Sequence, residues 1–287
     1  MIYIILSILS ATGIFVIFKI INNKNLPIAN IITVNYFIAS IIGFFQTLEN
    51  PLMAVHTEWF TLAIIIGILF IIFFFIISLS SKIVGISVTT IASKMSVLIP
   101  ILFSILFYSE TVGLLKILGI LLALIGVFLT IYKKSESSSK QKIIQFLLPL
   151  SLFIGMGSID SLLKYTQDTY ITQNISAFFS STLFAISFIS GLIYTLTRKE
   201  MIIAYSNPKI YYYGIILGIV NFGSIYFLIG ALNSEVFDSS IIFGINNVSI
   251  VIASVLLGIL LFKEKITKIN TIGILSSIIA ILTLSIS

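Results

Sequence analysis

The chain has 287 residues, 59% of them hydrophobic and only 9% charged, whereas an ordinary soluble domain carries roughly 25% charged and 45–50% apolar residues. No water-soluble fold could hide that much apolar surface. The net charge is +6, and the 16 Lys and Arg sit almost entirely at the ends of apolar runs, which is a pattern of membrane orientation and not of nucleic-acid binding.

Ten apolar segments follow in order: 2–21, 28–48, 59–79, 84–108, 112–132, 144–165, 171–197, 209–230, 236–262 and 267–286. The first has no positive leading region and no small-residue cleavage site, so it reads as a retained span. Runs of about 20 continuously apolar residues suit helices crossing a hydrocarbon core about 30 Å thick, not barrel strands, which alternate and are half as long. Pro27, Pro51, Pro149 and Pro208 fall at predicted helix ends, where a missing N–H costs little. Pro100 lies inside the fourth span and predicts a kink or local opening there. Near the middle, KKSESSSKQK from Lys133 to Lys142 is too hydrophilic to insert.

On either side of that stretch the sequence echoes itself. LFYSETVGLLKILGI from Leu106 matches LLFKEKITKINTIGI from Leu260, registering Glu110 with Glu264 and Gly119 with Gly273. A looser match sets GIFVIFK beside SIDSLLK. The predicted organisation is a five-helix repeat over 1–134, a polar linker over 135–143 and a second five-helix repeat over 144–287. An odd number of spans per half makes the second copy enter from the opposite side. The expected fold is therefore an all-α membrane protein of ten transmembrane helices in two inverted five-helix repeats around a central cavity.

Numbered in order, the odd loops carry Lys19, Lys24, Lys82, Lys133, Lys134, Lys140, Lys142, Arg198, Lys199, Lys209, Lys263, Lys265 and Lys268, and the even loops only Lys116 and Lys164. The positive-inside rule then puts the odd loops in the cytoplasm and both termini outside it, in a multi-pass protein of the cell inner membrane.

Together the first span GIFVIFK, the fourth span running through PILFSILFYSE into a Gly-rich fifth, and LGILLFKE before the tenth make the chain resemble the EamA-type members of the drug/metabolite transporter superfamily. The resemblance implies an inverted-repeat bundle with a central cavity and secondary transport, often export, of amino acids, other metabolites or drugs. One departure is the second span, TVNYFIAS: Asn35 and Tyr36 stand where such proteins often carry an arginine, so no role of that arginine transfers.

Several polar residues within spans are candidate solute contacts. Lys94 is near mid-depth in the fourth span, where a Lys costs roughly 2.5–3.5 kcal/mol on the most lenient insertion scale. It either faces a cavity or is held structurally, by snorkelling or by a carboxylate. Asp160, in GMGSIDSLLK, could neutralise Lys94, bind a substrate amine or shuttle a coupling proton; equally, it could pair with Lys164 one helical turn on. The repeat register places Lys94 at Val248, immediately after Asn246 and Asn247, which could bind solute or hold helices together. Asn35, Tyr36, Asn174, Asn221 and Tyr226 are further candidates. Glu110 and Glu264 stand at helix junctions, where a carboxylate can cap the following helix, the favoured reading, or pair with a neighbouring Lys. Trp59, Tyr108, Tyr132, Tyr194 and Tyr211 to Tyr213 are placed for an aromatic belt.

The absence of cysteine and the single His56 exclude disulfides, thiol nucleophiles and sulfur-ligated metal, and no metal, catalytic residue or cofactor is expected. A lone deep aspartate, no H-E-x-x-H and no intramembrane histidine argue against an embedded enzyme. A scaffold whose polar residues only lock helices is the other alternative. The leading expectation is a secondary transporter, an exporter, of a small organic metabolite such as an amino acid. It would work by alternating access, with the lipid bilayer, the solute and either a coupling proton or an exchange solute as its partners. With no P-loop in the sequence, ATP is not the energy source.

Overall fold

The structure is a computed structural model that describes residues 2–46, 57–108, 113–131, 139–170, 176–232 and 239–286. These form α1 (Ile2–Asn23), α2 (Ile28–Phe45), α3 (Thr57–Ile83), α4 (Ile86–Met95), α5 (Leu98–Tyr108), α6 (Leu114–Ile131), α7 (Ser139–Tyr170), α8 (Ser176–Leu196), α9 (Lys199–Ala204), α10 (Pro208–Leu232), α11 (Ser239–Phe262) and α12 (Lys268–Ser285). Among the described residues, eight helical stretches are long and apolar enough to cross a membrane, with α4 and α5 counted as one; α6 and α12 are apolar but shorter. Leu and Ile side chains remain exposed along nearly every helix, as expected where lipid is the solvent. His56, Glu110, Tyr132 and Asn174 lie outside the described residues.

The helices interleave across the chain. α1, α2, α8 and α10 share one large core with the middle of α3, built around Phe18, Tyr36, Phe184 and Leu217. α4, α5, α6, α11 and α12 share a second around Ile91, Met95, Val251 and Ile281. α3, α7 and α8 meet in a third at Trp59, Ile159 and Phe179.

Pro100 acts through the carbonyl it leaves unpaired. Its ring nitrogen cannot donate to Ser96 O, and the Ile99 N–H does so instead at 2.9 Å, a tighter turn that interrupts the helix between Met95 and Leu98. Pro149 does not end a helix. It lies inside α7, a 32-residue helix that begins within the polar stretch and so runs past the expected boundary at 144.

Trp59 is also corrected. It is 1% exposed, with its ring edge-on to Phe178 and Phe179 at 6.1 and 5.7 Å, because the start of α8 covers the face that would otherwise meet headgroups. Glu264 does cap a helix, but not the following one. α12 is capped by its own Thr267–Asn270 box, and the Glu264 carboxylate accepts from Ile86 N–H and Ser87 N–H at the start of α4.

α6 and α12 form the closest pair. A Cβ added to Gly126 would stand 2.5 Å from Ser277 Oγ, and one added to Gly273 would stand 2.6 Å from Thr130 N. Asn270 Nδ2 donates to the carbonyls of Leu129 and Thr130 at 3.2 and 2.8 Å, occupying the acceptors left at the end of α6. Gly126→Val should therefore lower stability by about 1–3 kcal/mol, read as a reduced midpoint in thermal unfolding of the detergent-purified protein.

Candidate functional site

Most hydroxyls within the spans are satisfied by their own helix. Thr33, Thr130, Ser161, Thr182 and Ser190 each donate to the carbonyl four residues back, which conceals a polar group without help from another helix. Among the described residues, the buried hydroxyls with no partner are those of Thr12, Thr90, Ser93, Ser254 and Ser277. Thr90, Ser254 and Ser277 are 0% exposed.

Thr90 and Ser254 lie on α4 and α11, two helices that pack along a common seam. The seam's register is set where Gly258 meets Ser87: a Cβ there would be 2.8 Å from Ser87 Oγ. α4 starts at this end and α11 finishes here, so successive turns bring Thr90 level with Ser254, and Lys94 level with Val251. Ser87, Thr90 and Lys94 share one face of α4 at helical spacing, as do Asn247, Ser254 and Gly258 on α11. This polar stripe is visible in the sequence as i, i+3, i+7 and i, i+7, i+11, but the short hydroxyls among long apolar runs were not singled out.

Lys94 is in the last turn of α4. The helix break just beyond leaves carbonyl ends there, whose partial negative charge favours a cation. Eight residues from Ile86, it stands about 12 Å along the helix. α7 is drawn close to the break by Gly157, where a Cβ would stand 2.7 Å from Ser96 O, and Asp160 follows almost one turn later. Lys94 and Asp160 are both half-buried, and each lies in the other's field. They make no direct ion pair with each other.

The other candidates disperse. Asn246, 2% exposed with Oδ1 unpartnered, and the half-buried Asn247 stand about one turn beyond the level of Lys94 on α11. Asn35 on α2 is 0% exposed, with both amide atoms unpartnered. It faces α10, where a Cβ on Gly218 would meet its carbonyl at 2.8 Å. Asn221 is one turn along α10, also buried, with Nδ2 unpartnered. Tyr36 is 1% exposed; its hydroxyl donates to Phe70 O at 3.0 Å and its ring packs on Phe74. The structure thus brings Lys94 and Asp160 into each other's field, with Thr90 on α4 and Asn246, Asn247 and Ser254 on α11, while Asn35, Asn221 and Tyr36 lie along α2 and α10. Tyr226 packs on Phe222 and Phe227, 43% exposed.

At the Lys19 end of the bundle a cavity of about 360 Å³ is lined by Lys19, Lys82, Gln145, Glu264, Lys265 and Asn270, among others. No group of three or more His, Cys, Asp or Glu side chains that could hold a metal ion occurs among the described residues.

A bundle of long apolar helices with charged and amide side chains inside its spans is a polytopic α-helical membrane protein. Residues 1–132 match the EamA-like transporter family. A protein of Haemophilus influenzae (strain Rd), described only as uncharacterized, is 28% identical over 286 residues, 98% of this chain and 96% of its own length. A crystal structure of another protein, 13% identical, shares the fold with a TM-score of 0.56 over 97% of each chain.

If the two charges sense each other, Lys94→Met and Asp160→Asn should be non-additive. A double-mutant cycle read by thermal unfolding should give a coupling of about 0.5–3 kcal/mol, and a coupling of zero would separate the two residues.

Proposed function

We propose that the chain is a secondary transporter that exports a small zwitterionic metabolite, such as an amino acid, by alternating access. The observation that carries this reading is Lys94, a cation on the last turn of a broken spanning helix, in the field of Asp160 but not joined to it. A Lys kept in a membrane interior without a direct counter-ion is a functional feature by default, and binding sites of such transporters are built on discontinuous helices. Lys94 suits the solute's carboxylate and Asp160 its ammonium. Asn246 and Asn247 add hydrogen bonds from α11; Asn35 and Asn221 line the moving interface of α2 and α10, and Tyr36 that of α2 and α3. Asp160 also carries the coupling proton, unless an exchange solute drives the cycle.

The architecture proposed with it is ten spans in two inverted repeats, 1–134 and 144–287, joined by the 135–143 linker. The interleaved cores support it, since each combines helices from both parts of the chain. The protein sits in the cell inner membrane with both termini outside the cytoplasm, on the Lys and Arg loop bias.

The test is thermal unfolding in detergent with panels of amino acids, organic acids, sugars and sugar phosphates, for the parent and for Lys94→Ala. A bound solute at about 100 times its dissociation constant adds roughly 2.7 kcal/mol. The expected result is stabilisation of the parent by a zwitterion class and loss of that response in a folded Lys94→Ala. No response from any class, or an equal response in the variant, would favour a scaffold. A reporter fused to the C-terminus tests the orientation, and a cytoplasmic signal would reverse it.

A further inference from the structure

Glu264 is seated more elaborately than a surface carboxylate needs to be. α11 ends in a left-handed C-cap: Lys263 takes a left-handed conformation at φ 54, its N–H donates to Ile259 O at 3.1 Å, and Glu264 N–H reaches back to Gly258 O at 3.0 Å. A lysine there is strained where glycine would be relaxed. The turn folds Glu264 back along the last turn of α11 and delivers its carboxylate to α4. Oε1 accepts from Ile86 N–H at 2.6 Å, and Oε2 from Ser87 N–H at 3.2 Å and Ser87 Oγ at 2.9 Å.

Lys19 of α1 stands 3.4 Å from Oε1 and donates to Ser81 O at 2.8 Å. Two glycines make room. A Cβ on Gly85 would be 2.6 Å from Oε1, and one on Gly258 would be 2.7 Å from Oε2; Gly85 also has φ 104, which other residues rarely adopt. One carboxylate therefore gathers α1, α4 and α11 in a socket made of backbone N–H groups, a hydroxyl and an ammonium.

The position of this junction matters as much as its chemistry. On one side is the 360 Å³ cavity with Lys82, Lys265 and Gln145. On the other, one turn further along α4, begin the unpartnered hydroxyls of Thr90 and Ser254 that lead to Lys94. Nothing covalent holds the carboxylate within α4, and the side chains of Lys19 and Glu264 are 15% and 13% exposed. We propose that Glu264 is a latch, a tethered carboxylate that closes the Lys19 end of the space between α1, α4 and α11. The socket it fills is a carboxylate site that accepts a small carboxylate when Glu264 is withdrawn. The purpose of the latch rests on the transporter reading; the site itself does not.

The chain contains no cysteine, so Ser254→Cys provides a single thiol, buried behind the latch. Its labelling by a membrane-impermeant maleimide is measured in vesicles, applied from each side in turn, alone and combined with Glu264→Ala or Gly258→Ala. The second variant keeps the charge but fills its seat. Opening should raise the labelling rate from the side bearing Lys82 by about tenfold or more, the scale of a lost charge-assisted hydrogen-bond set. Formate, but not formamide, should slow labelling of the Glu264→Ala protein towards the parental rate and raise its unfolding midpoint.

An unchanged labelling rate in a Glu264→Ala protein that melts cooperatively would overturn the latch, and indifference to formate would overturn the carboxylate site. If Glu264→Ala fails to fold, Gly258→Ala decides the latch: faster labelling supports it and the parental rate overturns it. A failed solute screen beside positive labelling would remove the transporter reading and leave the latch standing. Solute binding beside negative labelling would do the reverse.

Discussion

A backbone carbonyl without a donor has no water to turn to inside a bilayer, and the α4–α5 junction is organised around that constraint. Pro100 cannot donate to Ser96 O, so Ile99 supplies the bond and the helix breaks. Ser96 Oγ turns back to Ser93 O at 2.6 Å, and Gly157 lets α7 approach the freed carbonyl where any larger residue would collide. The break creates a helix end within the membrane, Lys94 occupies its last turn, and the close approach of α7 carries Asp160 into range. A proline, a carbonyl, a glycine and two charges thus form one causal sequence.

Much of this was legible in the chain, for reasons that can be named. Continuous apolar runs leave few ways to satisfy backbone groups in lipid, so helices followed directly from hydropathy. Pro100 and Lys94 were conspicuous because each is expensive where it stands. Pro149 was misread because position relative to an apolar boundary does not reveal whether a helix continues past it; α7 starts in a polar, charged stretch that hydropathy assigns to a loop. Trp59 was misread because its neighbours in sequence say nothing of the α8 residues that cover it.

Glu264 marks the other limit. Its junction position suggested capping, correctly, but the helix it caps lies 178 residues away. Local pattern finds the donor and acceptor types; only the fold supplies the partner. The same holds for Thr90 and Ser254, ordinary residues whose significance comes from lacking the back-bond that most of the other hydroxyls make.

The α6–α12 contact has a consequence for how related chains can vary. Backbone approaches side chain at both Gly126 and Gly273, on opposite helices, and Asn270 grips the end of α6 through two carbonyls. Neither helix can be displaced without disturbing the other, so the pair behaves as a single slab two helices thick. Relatives should inherit these positions as one joint character: a side chain acquired at either site demands a compensating shift of the whole slab, and drift at one is constrained by the other.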